Sequence, residues 1–132
     1  MYTIGNMLIQ LKNAQAARHE RVLIPFSKIK FEIAKVLKDK NFIQNVEIKK
    51  KKSKKSEYSY LDLRLKYNDG QGAINGIKFL SKPSRRLYFK NEDIKSVKSG
   101  YGIMVISTPK GIMSGDEAKK QNVGGEAIAE IW

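Results

Sequence analysis

The sequence predicts an α+β protein of two small α/β lobes. The N-terminal lobe runs α-β-α-β-β, and the C-terminal lobe is mostly β with one short helix. Three observations carry that expectation. Apolar residues recur at helical spacing in two separate stretches of the first half. Leu61, Leu63, Leu65 and Tyr67 alternate with Tyr60, Asp62, Arg64 and Lys66, the pattern of a half-buried antiparallel strand. Beyond Asn68-Asp69-Gly70-Gln71-Gly72 the elements shorten and no long helical period appears. That turn-rich stretch sets the expected boundary, giving lobes 1–67 and 68–132.

The N-terminal elements follow in order. Thr3 can cap a first helix, whose buried face is Ile4, Met7, Leu8, Leu11 and Ala14 at spacings of three and four. Val22-Leu23-Ile24 is a short strand that stops at Pro25. Ser27 suits the N-cap of a second helix, with Phe26 and Phe31 placed as a hydrophobic staple. Ile29, Ile33, Val36 and Leu37 are its expected buried stripe, and Asn41 its left-handed stop. Phe42 and Ile43 lead into a strand containing Val46 and Ile48. The lysine run from Lys49 to Lys55, broken only by Ser53, reads either as a solvated hairpin tip or as a phosphate contact.

In the second half, Ile74 to Leu80 reads as a strand and Ser81-Lys82-Pro83-Ser84 as a loop. Arg86 to Lys90 reads as another strand, with Arg86, Tyr88 and Lys90 on one face. Asn91 to Ser99 is a polar connection to Gly100. Ile103-Met104-Val105-Ile106 is a buried strand that surfaces at Ser107-Thr108-Pro109-Lys110-Gly111, and the plain reading of that surfacing stretch is a strand-to-helix turn. Ser114 and Glu117 fit a capping box on a short helix ending near Asn122. Gly124-Gly125 opens a final strand.

Composition narrows function more than fold. The chain has 132 residues, 26 Lys and Arg against 13 Asp and Glu, and a net charge of +13, which argues for a polyanionic partner. Residues 1–67 hold 16 basic and 6 acidic residues, and residues 68–132 hold 10 and 7. With no cysteine there is no disulfide framework or thiolate metal site, and no metal or cofactor is expected. His19, the one histidine, lies in a polar segment and reads as a solvated side chain. No phosphate loop or dinucleotide fingerprint is present. No apolar run is long enough to span a bilayer, and no signal peptide opens the chain. The expectation is a protein that is not an enzyme. A nucleic-acid-remodelling enzyme lacks its acid-base and metal groups. A peripheral membrane protein lacks an apolar insertion face beside the lysines.

The contact residues are expected in the second half. Ser107 and Thr108 offer hydroxyls, Lys110 a cation, and Gly111 room for a close backbone, a mixture suited to a polyanion with exposed base and sugar edges. Arg86 and Tyr88 can hold phosphates and pack on sugar or base.

Taken in order, several segments are similar to the bacterial-type small-subunit ribosomal protein S8 family. They are Asn6-Met7-Leu8 with Lys12-Asn13-Ala14-Gln15, Ile24-Pro25 with Ser27-Lys28, and Ser81-Lys82-Pro83 followed by Arg86 and Tyr88. The strongest are Ser107-Thr108-Pro109-Lys110-Gly111-Ile112-Met113 and Val123-Gly124-Gly125-Glu126. The resemblance covers essentially the whole chain. It implies a structural protein that binds small-subunit rRNA at an irregular helix of the central domain and assists subunit assembly. It also implies neighbouring small-subunit proteins as partners, a monomer within the ribosome, no membrane, and a cytoplasmic location in a bacterial or an organellar ribosome. A general basic nucleic-acid-binding protein without a ribosomal role is the alternative. The resemblance places Ser107, Thr108, Lys110, Gly111, Gly124, Gly125, Glu126, Arg86 and Tyr88 at the RNA, with Lys30 as a further basic position in the second helix. On that placement Gly124 and Gly125 are expected to remove side chains that would hold RNA away, and Glu126 to accept hydrogen bonds from a base or from neighbouring backbone. The chain departs from the family at Pro109, where a second serine is common, and at Tyr2-Thr3-Ile4.

Overall fold

A computed structural model of the chain describes residues 3–52, 54–95 and 101–132. It has the expected α+β class. In order, the elements are α1 (Thr3–Ala16), β1 (Arg21–Pro25), α2 (Lys28–Asp39), β2 (Ile43–Lys52) and β3 (Glu57–Leu65), then β4 (Tyr67–Asn68), β5 (Gln71–Gly72), β6 (Ile77–Phe79) and β7 (Tyr88–Phe89). A 3-10 turn (Asn91–Asp93), β8 (Ile103–Thr108), β9 (Gly111–Ser114), α3 (Gly115–Lys120) and β10 (Gly125–Ile131) complete the chain. The backbone clusters into two compact units, residues 6–73 and residues 1–5 with 74–132. The expected cap at Thr3 concerns a side chain outside the description, as do Tyr2, Ser53, and Ser99 and Gly100 of the polar connection.

In the N-terminal unit, α1 buries Met7, Leu8, Leu11 and Ala14, as its spacing requires. Ser27 caps α2 by accepting the Lys30 N–H at 3.1 Å, and the rings of Phe26 and Phe31 form the staple with centroids 6.4 Å apart. The buried stripe of α2 is Ile33, Ala34 and Leu37. Ile29, expected in that stripe, is exposed, and Val36 is only half-buried. At about 100° per residue, the 33-34-37 direction leaves position 29 roughly a quarter-turn away from the core.

All three helices end in the same way. Arg18 (φ 64), Asn41 (φ 66) and Asn122 (φ 56) adopt left-handed backbone just past α1, α2 and α3. The next N–H reaches back in each case: His19 to Ala14 O at 3.0 Å, Phe42 to Leu37 O at 2.8 Å, and Val123 to Ala118 O at 3.0 Å. This is the Schellman closure, which satisfies carbonyls the helix leaves open. Asparagine is a residue type that signals such a stop. Arginine is not, and Arg18 is held by donating from Nη1 to the Gly70 carbonyl.

The first sheet is antiparallel in the order β1-β3-β2. Val22 pairs with Leu63 and Ile24 with Leu61 on its buried face. Asp62 lies on the opposite face yet is only 8% exposed. It is clamped from both neighbouring strands, by Arg21 at 3.3 Å and Lys49 at 2.7 Å. Lys49 to Lys52 form the end of β2, paired residue by residue with Tyr60 to Glu57. Of the described lysines in the run, only Lys54 and Lys55 belong to the hairpin tip. The 68–72 stretch is a two-residue hairpin, with Asp69 (φ 52) and Gly70 (φ 79) both left-handed as a type I′ turn demands.

In the C-terminal unit, β10 pairs with β8 along one edge, β8 pairs with β9, and the other edge of β10 is shared. β6 occupies it at Ala129 to Ile131, and β7 at Gly125 and Glu126. That sharing explains why the strands expected over 74–80 and 86–90 are only Ile77–Phe79 and Tyr88–Phe89. The chain between them leaves the edge in a tight turn, where Lys82 and Arg85 exchange backbone hydrogen bonds of 2.8 and 3.0 Å. Buried Ser81 fixes the crossing by donating to Ala127 O at 2.5 Å and accepting from Leu87 N–H at 2.9 Å.

One face of this sheet packs Met104, Ile106, Met113 and Ala127 against Ala118 of α3 and against Ile94. Ile94 belongs to the stretch that reads as polar in the sequence. It is carried into the core after the 3-10 turn, which Asn91 ties to α3 by donating to Ala118 O at 3.2 Å. Ser114 caps α3 by accepting the Glu117 N–H at 3.3 Å. Glu117 Oε1 accepts from Gln121 Nε2 at 3.2 Å, a bond within the helix instead of the expected return to the cap.

Candidate nucleic-acid interface

The Ser107–Gly111 stretch joins two strands, not a strand and a helix. Thr108 pairs with Gly111 across a loop of Pro109 and Lys110, and β9 follows before α3 begins. Thr108 is buried, and its hydroxyl is committed to the turn. Oγ1 accepts the Lys110 N–H at 3.1 Å and donates to Gly111 O at 2.8 Å. Gly111 has φ 118, a conformation that favours glycine. Lys110 and Pro109 stand exposed at the tip. Thr108 and Gly111 therefore build the hairpin that presents Lys110.

Sheet register assembles the other residues. Tyr88 pairs with Glu126, Glu126 with Ser107, and Ser107 with Ile112. Directly opposed residues share a face, so these four form one row across β7, β10, β8 and β9. Three interstrand spacings of roughly 4.8 Å make it about 14 Å wide. Tyr88 is 71% exposed at one end, and Ser107 and Ile112 are half-exposed at the other. Among the described residues, the Ser107 hydroxyl has no protein partner. Arg86 lies two residues before Tyr88, exposed beside the row.

Glu126 has a partner that the sequence does not suggest. Arg86 Nη1 donates to its Oε1 at 2.9 Å and its Oε2 at 3.4 Å. Neither a base nor a backbone group is needed to explain a carboxylate in a basic setting. The pair leaves Tyr88 and Ser107 on either side of a locally neutral centre. Long-range pairing of this kind carries no local sequence signal, and Ile112 has none either, since it and Met113 are both apolar and no alternation sets it apart.

The two glycines also have a reason of their own. A Cβ at Gly125 would lie 1.9 Å from Ser107 O, and one at Gly124 would lie 2.4 Å from Phe89 O. The room they leave is filled by the protein's own β8 and β7 backbone, where RNA access was expected. Their absence of side chains lets β10 enter the sheet and sets Glu126 between Tyr88 and Ser107.

Lys30 lies in the first turn of α2 in the other unit, half-buried, with its N–H on Ser27. Register does not bring it to the row. Among the described residues, no three His, Asp or Glu side chains group as metal ligands would, and no helix is long and apolar enough to cross a membrane.

The build is that of a basic two-unit α+β protein presenting a polar sheet row. Comparison with known proteins names its family. The family description "Ribosomal protein S8" matches residues 2–132. The small ribosomal subunit protein uS8 of Mycoplasma mobile is 43% identical over 129 residues, covering 98% of this chain and 94% of that protein. The uS8 of Bdellovibrio bacteriovorus is 42% identical and covers all of both chains. The uS8c of Bigelowiella natans is 40% identical over 98% of this chain and 97% of its own length. The chain belongs to the ribosomal protein S8 family.

Proposed function

We propose that this protein is a non-catalytic constituent of the small ribosomal subunit in the cytoplasm. It binds small-subunit rRNA at an irregular helix of the central domain and assists assembly there beside neighbouring subunit proteins. The observation that carries this reading is the row Tyr88–Glu126–Ser107–Ile112, flanked by Arg86 and Lys110 on an open sheet end. Regular RNA duplex hides its base edges in a deep, narrow groove, so a specific reader meets bulged or unstacked nucleotides. Ser107 offers an unspent hydroxyl to a base edge or a 2′-OH. Tyr88 offers an aromatic face, and Lys110 a phosphate contact. Gly111, Gly124, Gly125 and Thr108 set that geometry from within. The surplus of charge supplies affinity and encounter rate without reading sequence.

The test is binding to the central-domain stem of a bacterial small-subunit RNA against a scrambled stem of equal length, from low to moderate salt. A preference that persists as salt rises supports the row as a reader. Equal binding that collapses with salt sinks it and leaves the general basic binder.

A further inference from the structure

We infer that the open face of the β1–β3–β2 sheet is a second RNA surface, one that takes unpaired nucleotides by stacking on Tyr58 and Tyr60. This goes beyond the function proposed above and shares none of its residues. Strand register puts Tyr58 directly opposite Lys51, and Tyr60 opposite Lys49 on one side and Pro25 on the other. Opposed residues share a face, so Tyr58, Tyr60 and Asp62 follow one another along one face of the central strand, the two rings flanked by Lys51 and Lys49 and Asp62 by Glu47. Tyr58 is 49% exposed, Leu23 on the same face is 53% exposed and Tyr60 is half-buried, so this face is open at its Tyr58 end and along β1.

Charge selects the occupant. The same face carries Arg21 and Arg64, and the run from Lys49 to Lys55 holds six lysines and no acid. Asp62 does not reverse this. Arg21 and Lys49 both bond it, and Lys49 also lies 3.9 Å from Glu47, which pairs with Asp62 on this face, so that cluster is neutral, Lys49 is fixed in place beside Tyr60, and the surplus positive charge of the face comes from Arg64 and Lys51. Aromatic rings interleaved with cations on an exposed sheet bind single strands, because every base has a face to stack and every linkage a phosphate. A duplex offers phosphates without free base faces. Lys50 and Lys52 point to the opposite side of β2 and provide the comparison for charge alone.

The experiment measures binding of the full chain to a fluorescently labelled short oligoadenylate and to a duplex of equal length, at physiological ionic strength. Tyr58→Ala and Tyr60→Ala are each expected to weaken oligoadenylate binding about 5- to 100-fold and to leave the duplex within about twofold. Tyr58→Phe, which keeps the ring, is expected to bind like wild type. Lys50→Gln is expected to weaken both ligands alike. If Tyr58→Ala binds oligoadenylate as wild type does, or if single strand and duplex bind equally, the surface is only a charge and the inference is overturned. Thermal melting of each variant shows that it is folded. Titration of Tyr58→Ala against the central-domain stem separates this surface from the row. The stem should bind as before, and failure of wild type on the stem would count against the row alone.

Discussion

The guanidinium of Arg86 and the carboxylate of Glu126 face each other at the β10 edge of the C-terminal sheet, with Nη1 at 2.9 Å from Oε1 and 3.4 Å from Oε2. Two residues read from the sequence as separate RNA contacts are thus one ion pair. Arg86 is half-exposed and Glu126 is 18% exposed, so water screens the pair and its worth to stability is about 0.5 kcal/mol or less. Its larger effect is on charge. Glu126→Gln is expected to leave the melting temperature almost unchanged while removing the carboxylate that offsets the Arg86 charge and repels phosphate. Binding to any RNA should rise at low salt, the salt dependence should steepen by about one phosphate contact, and preference for the cognate stem should fall. An unchanged salt slope in Glu126→Gln would show that Arg86 already contacts phosphate in wild type.

Ser107 and Thr108 are neighbours with opposite expected roles. Thr108→Val removes both turn hydrogen bonds at nearly constant shape and should cost about 1–2 kcal/mol of stability. Ser107→Ala should leave stability within about 0.5 kcal/mol, as surface changes usually do. It should reduce discrimination between cognate and scrambled stems by about 1–3 kcal/mol, taking base-edge contacts as the guide. Denaturant titrations and paired RNA titrations on the two variants measure this. Loss of discrimination in a fully stable Thr108→Val would contradict the assignment.

Gly125 is expected to tolerate no side chain. Its Cβ would meet Ser107 O at 1.9 Å and Ser107 C at 2.8 Å, both backbone atoms of a paired strand that cannot rotate aside. Gly125→Ala should destabilise the protein by about 1–3 kcal/mol or more, the range for overpacking. Gly72→Ala is the useful contrast. The nearest atoms to its Cβ belong to the Gln15 side chain and not to backbone, so it should cost less. Chemical denaturation of both variants orders the two effects.

The Lys49–Asp62 bond predicts an alkaline dependence. The hydrogen bond that Lys49 donates to Asp62 raises the Lys49 pKa above its ordinary 10.5, more than desolvation lowers it. A raised value in the folded state means that the bond's stabilisation is fully present below 10.5 and is lost as pH rises through the folded value. The stability difference between wild type and Lys49→Gln should therefore be flat from neutral pH into the mildly alkaline range and shrink above it. Denaturation midpoints measured pairwise along that range test it. A difference that vanishes already at neutral pH would rule the bond out as a contributor.

Local signals were legible in the sequence. Ser27 and Ser114 as caps, Asn41 as a left-handed stop and the Met7-Leu8-Leu11 stripe each depend on residues within one turn of one another. So does the Asp69-Gly70 turn. What was hidden depends on partners far along the chain. Asp62 looked like a solvent-facing position because its two cations sit on other strands. Ile94 looked isolated in a polar stretch because the core it joins comes from β8, β9, α3 and β10. The strands at 74–80 and 86–90 were drawn too long because nothing local reveals that they share one edge of β10. At the candidate site the residue types were legible but not their division of labour. Whether a hydroxyl is spent on its own turn or a glycine's space is taken by a neighbouring strand is a property of register.

The row Tyr88–Glu126–Ser107–Ile112 comes from four strands whose order in space is not their order in the chain. No segment short of the completed sheet contains it. On the proposed function, an unfolded copy carries the same +13 charge as the native protein and can crowd the same RNA, yet it cannot tell one stem from another. Selectivity then acts as a certificate of folding. The RNA stabilises only copies whose last strand has closed between β7 and β8, so defective chains are screened out at assembly by the site they fail to form.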